Sequence, residues 1–185
     1  MIKTYKSNDK TQLTEHFNVS EFRCKCGGGH DTTLDTSLVE LLEKLYKALN
    51  CSKIIVNSGY RCVSHDKAVG GNGYGQHTRG TAADIVCYDQ DGCKIPSQKV
   101  CCAAQDVGFS GIANIDKTYT ATHVDVADRK WYGDETITTL YSICKDFYEH
   151  FALTRADVYG ETAKRTVKVT IELDDHTYSG LLTEE

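Results

Sequence analysis

The sequence predicts an α+β domain, in which helices and strands follow one another without regular β-α-β repetition. Two segments, 36–50 and 135–153, carry apolar residues at helical spacing. Short apolar runs between them, such as 54–56 and 81–88, are typical of buried strands. With 185 residues the chain is long enough to bury one substantial core.

The first half of the chain alternates docking segments, loops and regular elements. Residues 13–23 are predicted to dock on the core, and the glycine-rich stretch CKCGGGHD at 24–31 is predicted to be a loop. TSLVELLEKLYKALN at 36–50 is an amphipathic helix with a Thr or Ser cap. SKIIVNSGYR at 52–61 is a strand that ends in a turn at Ser58 and Gly59.

The remaining elements are shorter. The sequence predicts helices at 63–69 and 97–109, a loop at 70–75, strands at 81–88, 111–115 and 121–127, and the amphipathic helix at 135–153. Alternation on both sides of Asp174 and Asp175 predicts a β-hairpin. We therefore expect a lead at 1–12, a main domain at 13–150 and a C-terminal extension at 151–185.

Composition and charge exclude several classes of partner. The 21 basic and 26 acidic residues give a net charge of −5, which argues against nucleic acid and anionic membranes as partners. No apolar run has the length of a membrane span or of a signal-peptide core. We expect a monomer that is made in the cytoplasm without a signal peptide.

The nine cysteines are expected to be reduced thiols, because their number is odd and no export signal is visible. Cys24 and Cys26, with His30 close by, are a possible second metal site. The C-x-C spacing is tighter than the usual zinc spacing, so unpaired thiols in a loop are the favoured interpretation.

His77, Asp84 and His123 are the candidate ligands of a catalytic metal ion. Two imidazoles and one carboxylate leave a fourth position open for water, as in catalytic zinc sites. The interval between His77 and Asp84 suits a histidine on a loop and an aspartate in the next strand. A single histidine of this kind is more often a surface or core residue, so spacing alone is weak support.

Three motifs strengthen the case: SGYRC at 58–62, AVGGNGYGQHTRGTAADI at 68–85 and THVDV at 122–126. In this order and spacing they resemble the zinc D-Ala-D-Ala carboxypeptidases of peptidase family M15, which include many phage endolysins. The resemblance covers roughly residues 13–130. It implies a small antiparallel sheet flanked by helices, with one zinc ion in the cleft, as in the hedgehog and DD-peptidase folds.

The resemblance also implies roles for individual residues. His77, Asp84 and His123 match the zinc ligands, and Arg61 matches an arginine that contacts the substrate or the developing oxyanion. Predicted substrate contacts are Ser58, Tyr60 and Gln76. Aromatic residues that can line the cleft are Tyr74, Tyr88, Trp131 and Tyr132.

One departure concerns the acid/base residue. Relatives carry a histidine two residues, or a glutamate three residues, before the third ligand, where this chain has Ala121 and Thr120. Asp125 lies on the same strand face as His123. Of two roles for Asp125, we favour orientation of the His123 imidazole over general-base catalysis.

The sequence therefore predicts a zinc peptidase that cuts peptidoglycan peptides, as a D-Ala-D-Ala carboxypeptidase or as an endopeptidase of stem or cross-link bonds. A phage or prophage lysin, acting at the bacterial wall after release, fits the missing signal peptide. Two alternatives remain: a non-catalytic zinc module of the same fold, and an Fe(II) oxygenase that uses His123, Asp125 and His176.

Overall fold

A computed structural model describes residues 1–137 and 145–160, together with the backbone of two strands between 166 and 183. The strands are β1 (Ile2–Tyr5), β2 (Thr32–Asp35), β3 (Lys53–Ser58), β4 (Ala82–Tyr88), β5 (Gly111–Asn114), β6 (Thr122–Asp125), β7 (Trp131–Asp134), β8 (Thr166–Leu173) and β9 (His176–Thr183). The helices are α1 (Thr36–Ala48), α2 (Val63–Ala68), α3 (Gln76–Arg79), α4 (Ser97–Val107), α5 (Phe147–Phe151) and α6 (Arg155–Tyr159). The predicted α+β class is confirmed.

A five-stranded sheet in the order β3-β4-β6-β5-β7 forms the centre of the protein. Every neighbouring pair is antiparallel except β5 and β7, which run parallel. The sheet is therefore antiparallel, as expected, except at this edge, because the chain passes over β5 on its way from β6 to β7. At the opposite edge, Lys25 Nζ donates a hydrogen bond of 2.9 Å to the Val56 carbonyl of β3.

One face of this sheet is buried in the core, and the other carries the side chains of Asp84 and His123. One face packs against α1 and α4, and Leu42, Ile85, Ile112 and Val124 are fully buried in that core. Because successive side chains of a strand alternate between faces, the neighbours of these core residues point to the other face. Asp84 and His123 are such neighbours, so packing of the core presents both of them on one surface.

Helix α1 confirms the predicted helix, but its cap differs from the prediction. The Asp35 carboxylate accepts a hydrogen bond of 3.0 Å from the Ser37 backbone N–H and caps the helix. Asp35 also ends β2, which pairs with β1 in a separate two-stranded sheet. Neither of these short strands was predicted, because each is polar and depends on the other for its hydrogen bonds.

The predicted helix at 135–153 is wrong at its beginning. Trp131–Asp134 form β7 and residues 135–137 turn away from it. Residues 138–144 lie outside the part that the structure describes. A short helix begins after Asp146, whose carboxylate accepts hydrogen bonds from two backbone N–H groups, and ends at Ala152 with a φ of 52°. The apolar spacing at 147, 148 and 151 reflects this short helix alone.

Strands β8 and β9 pair antiparallel from Thr166 with Thr183 to Leu173 with His176. They lie where the alternating pattern predicts two strands. The proposed division into a lead, a main domain and an extension stays a prediction. None of the helices in the described ranges is long and apolar enough to cross a membrane.

Gly80 is a point at which backbone conformation and packing together require glycine. It ends α3 with a φ of 74°, and a Cβ there would overlap the backbone carbonyl of Thr33 in β2. Gly160 ends α6 with a φ of 69° but has open space around its Cβ position.

We expect Gly80→Ala to destabilise the protein more than Gly160→Ala. Left-handed strain costs each variant about 1–2 kcal/mol, and the overlap with β2 adds about 1–3 kcal/mol to Gly80→Ala alone. Urea denaturation of both variants measures the difference. Equal losses would show that β2 moves aside without cost.

Candidate metal centre

The three predicted ligands converge from three different elements. His77 is on the single turn α3, Asp84 is in the middle of β4 and His123 is on β6. Asp84 and His123 are direct partners in the β4–β6 register. One ligand atom from each residue lies within 4.8 Å of the other two. His77 was expected on a loop, and the structure places it on a helical turn.

The Asp84 carboxylate is the centre of this group. Its Oδ1 lies 3.2 Å from His77 Nε2 and 2.9 Å from His123 Nδ1, and its Oδ2 lies 2.6 Å from the Arg61 guanidinium. His77 is fixed from behind, because its Nδ1 lies 2.8 Å from the Gly59 carbonyl. That contact leaves Nε2 as the nitrogen that faces the centre.

The ionisation of these groups reflects their close approach. Burial alone would raise the pKa of Asp84, but the hydrogen bonds and charges of His123 and His77 hold that pKa well below its usual range. Burial alone would lower the pKa of His123, but hydrogen bonds with Asp125 and Asp84 raise it to about 9. A carboxylate that faces two imidazoles in this way offers the donor set of a divalent cation, which replaces the shared proton.

Arg61 is held by three partners. Its Nε donates a hydrogen bond of 2.7 Å to Ser58 Oγ, and its terminal nitrogens approach Asp84 at 2.6 Å and Asp66 at 3.4 Å. Asp66 is buried and accepts a hydrogen bond of 2.9 Å from the Gly73 backbone N–H. These contacts engage three of the five guanidinium N–H groups. Arg61 thereby fixes the orientation of the Asp84 carboxylate.

Asp125 is fully buried, and both of its oxygens are occupied. Oδ2 lies 3.3 Å from His123 Nε2 and accepts a hydrogen bond of 2.8 Å from Arg129, while Oδ1 accepts one of 3.0 Å from the Ala127 N–H. Burial raises the pKa of Asp125, but these partners outweigh burial and lower it. The geometry favours orientation of His123 over proton transfer.

The predicted substrate contacts are placed near Arg61 and His77. Ser58 accepts the hydrogen bond from Arg61, so its hydroxyl already has a partner. The Tyr60 N–H donates a hydrogen bond of 2.7 Å to the Phe22 carbonyl, which fixes the backbone there. The Gln76 Oε1 accepts one of 2.8 Å from the Thr81 hydroxyl. Their roles toward a substrate stay predictions.

The candidate cleft aromatics differ in position. Trp131 lies edge-on to His123, with ring centroids 6.1 Å apart, and forms one wall of the centre. Tyr132 faces the core instead, where it stacks on Phe147 at 4.7 Å. Tyr74 is largely exposed. Of these rings, Trp131 is the one that the structure places against a candidate ligand.

Several residues of the centre were missed from the sequence. Gly111 faces Asp125 across the β5–β6 pair, and a Cβ there would overlap the Asp125 carboxylate. Arg129 binds that carboxylate, and Asp66 holds Arg61. Glu135, placed in a helix by the sequence pattern, directly follows strand β7. Arg129 and Asp66 lie within five residues of the side chains that they hold, but charged residues at such intervals are common, so the sequence alone does not single them out.

The fold and this group of residues define a class of protein: an α+β protein with a candidate metal centre of two imidazoles and one carboxylate. Comparison with protein families identifies the family. Residues 15–125 match the sequence profile of the family described as Peptidase M15, and the chain belongs to that family. Membership identifies the protein as a hydrolase of the metallopeptidase type. No curated protein matches the sequence significantly.

The oxygenase alternative finds no support in this geometry. It requires Asp125 as a metal ligand, but the Asp125 carboxylate accepts hydrogen bonds from Arg129 and from the Ala127 N–H instead. The third residue of the alternative, His176, is in β9, where the structure describes the backbone alone.

We expect Asp125→Asn to weaken divalent-metal binding by about 10- to 100-fold, because the neutral amide no longer orients His123 as a carboxylate does. Asp128→Asn is the matched control, since Asp128 is exposed and lies three residues away. Zn²⁺ titration with a competing chromophoric chelator measures both affinities. Unchanged affinity in Asp125→Asn would contradict the orienting role.

Proposed function

We propose that the protein is a zinc-dependent peptidase that cleaves peptide bonds of bacterial peptidoglycan. The observation that carries the proposal is the convergence of His77, Asp84 and His123, with Arg61 on the free side of Asp84, in a member of a peptidase family. The finer assignment to peptidoglycan rests on the resemblance of SGYRC, GQHTRGTAADI and THVDV to the D-Ala-D-Ala carboxypeptidases.

His77, Asp84 and His123 would hold the zinc ion, because neutral imidazole and carboxylate are established zinc ligands. A bound zinc ion polarises the scissile carbonyl and lowers the pKa of a coordinated water. The protein's part is to hold its three ligands in one orientation. Gly59 fixes His77, Asp125 fixes His123 and Arg61 fixes Asp84.

Arg61 has a second function in the proposed reaction. Two of its five N–H groups remain after its bonds to Ser58, Asp66 and Asp84. They can bind a terminal carboxylate of the substrate, or the negative charge that develops on the carbonyl oxygen. The fixed guanidinium plane makes this electrostatic contribution available without reorganisation.

Glu135 is the residue that we propose as the general acid/base. Ala113 of β5 pairs with His123 on one side and with Gly133 of β7 on the other. Glu135 lies two residues beyond Gly133, and its N–H continues the pairing with the Asn114 carbonyl at 3.0 Å. Glu135 is the first residue of the turn after β7, and this hydrogen bond keeps its backbone beside β5, the strand that pairs with the strand of His123.

The surroundings of Glu135 suit proton transfer. Two strand spacings separate β7 from β6, roughly 10 Å, and the Trp131 ring lies over Gly133 on the surface between them. Burial raises the pKa of Glu135, and the negative charges of Asp116 and Asp84 raise it further. A carboxyl group with a raised pKa can accept and return a proton closer to neutral pH.

We further propose that the protein acts at the bacterial cell wall as a phage or prophage lysin. The resemblance to a family with many phage endolysins supports this assignment. The net charge of −5 favours a peptide substrate over a polyanionic partner. Peptidoglycan peptide is the one partner in the proposal, and the protein acts as a monomer.

Incubation with peptidoglycan of several bacterial types tests the proposed function. We expect peptide release that stops with a chelator and returns with Zn²⁺, and fragment masses that identify the cleaved bond. His77→Ala is the control, because it removes one ligand. Absence of release by zinc-loaded protein from every wall type would favour a non-catalytic zinc module.

Glu135→Gln is expected to lower kcat/KM by at least about 100-fold, since the amide cannot accept a proton. The activity of the wild type should rise with pH as Glu135 ionises, at a pH above the usual pKa of glutamate. This rise should be absent from the pH profile of the variant. Zinc content should stay unchanged. Glu40→Gln on the exposed side of α1 is the matched control, and equal activity of both variants would disprove the assignment.

A further inference from the structure

Three cysteine thiols meet on the far side of the segment that carries Arg61. Cys24 and Cys26 belong to the loop after the 3-10 turn Val19–Phe22, and Cys62 directly follows Arg61. The three sulfur atoms lie within 4.8 Å of one another. Thirty-six residues separate Cys26 from Cys62, so this contact is formed by the tertiary fold.

The spacing of the sulfur atoms matches that of ligands around one metal ion. Cys26 Sγ and Cys62 Sγ are 3.8 Å apart. In a tetrahedral zinc site with Zn–S bonds of about 2.3 Å, neighbouring sulfurs are about 3.8 Å apart. A disulfide needs an S–S distance of about 2.05 Å. The C-x-C spacing, which argued against a site from the sequence, is thus compensated by a third sulfur from elsewhere in the chain.

Two of the sulfurs also accept backbone hydrogen bonds. The Cys62 N–H donates to Cys24 Sγ at 3.3 Å, and the Gly28 N–H donates to Cys26 Sγ at 3.3 Å. An amide N–H directed at sulfur stabilises the thiolate, which is the form that binds metal. Such hydrogen bonds to ligand sulfurs are typical of metal–thiolate centres.

His30 lies beside the same group. A Cβ placed on Gly28 would be 2.6 Å from His30 Nε2 and 3.3 Å from Cys26 Sγ, so both atoms occupy one side of this glycine. Glycine at position 28 therefore leaves space for the His30 imidazole beside Cys26, while His30 itself lies outside the group of three sulfurs within 4.8 Å of one another. Cys24, Gly27, Gly29 and His30 also line an open groove of about 830 Å³.

We propose that Cys24, Cys26 and Cys62, completed by His30, form a second metal site that binds Zn²⁺ for structural purposes. Three thiolates and one imidazole close a tetrahedral zinc site, with no position left for catalytic water. Binding releases the thiol protons to solvent and leaves all sulfurs reduced. The ion joins the N-terminal loop to the segment Gly59–Cys62, which fixes His77 and presents Arg61.

The test uses the full chain and needs no variant for its first readout. Mass spectrometry after alkylation is expected to show Cys24, Cys26 and Cys62 protected by Zn²⁺, while the exposed Cys93 reacts with or without the ion. Titration with Co²⁺ is expected to produce a thiolate-to-cobalt charge-transfer band. Equal alkylation of all four cysteines with and without Zn²⁺ would overturn the proposal.

Variants separate this site from the proposed catalytic centre. We expect two zinc ions per chain in the wild type and in the control Cys93→Ser, and one in Cys62→Ser. His77→Ala should also bind one ion yet keep the thiolate–cobalt band, whether or not the protein is a peptidase.

A titration that finds two fewer free thiols than the number of cysteines would identify a disulfide and overturn the proposal. Unchanged Co²⁺ affinity in His30→Ala would remove His30 from the ligand set.

Discussion

The position of the Asp84 carboxylate is the constraint on which the site depends. One oxygen faces His77 and His123, and the other faces Arg61, so a single side chain sets the spacing of two imidazoles and one guanidinium. Its ionised form is stabilised by these positive partners against the cost of burial. Each partner is in turn held by a group behind it, which limits the motion of the two imidazoles and the guanidinium.

The sheet supplies this constraint through register. Asp84, His123, Ala113 and Gly133 lie opposite one another across four strands. The same alternation that directs Ile85 and Val124 into the core directs this row to the opposite face. The absence of a side chain at Gly133 leaves the space that the Trp131 ring occupies beside His123. The burial of Ile85 and Val124 and the position of Asp84 and His123 on the opposite face therefore both follow from the alternation of side chains along β4 and β6.

The three candidate ligands that the structure brings together were visible in the sequence, but the residues that hold them in place were not. The motifs around His77, Asp84 and His123 predict the ligands, and the apolar spacing of 36–50 predicts α1. The strand before Glu135, the acid/base residue that we propose, was missed because apolar spacing in 135–153 predicts a helix, whereas parallel pairing with β5 fixes that strand. Cys62 and Cys26 are far apart in sequence, so their proximity follows from the tertiary fold alone. Local patterns carry no information about such pairs.

The hydrogen bond from Lys25 to the Val56 carbonyl has a consequence for the behaviour of the protein at high concentration. Strand β3 is an edge of the central sheet, and an uncovered edge can pair with the edge of another molecule. The ammonium group of Lys25 occupies one carbonyl on that edge and places a positive charge there. A second molecule that approaches in the same way brings a like charge, so repulsion opposes the first step of sheet-to-sheet aggregation.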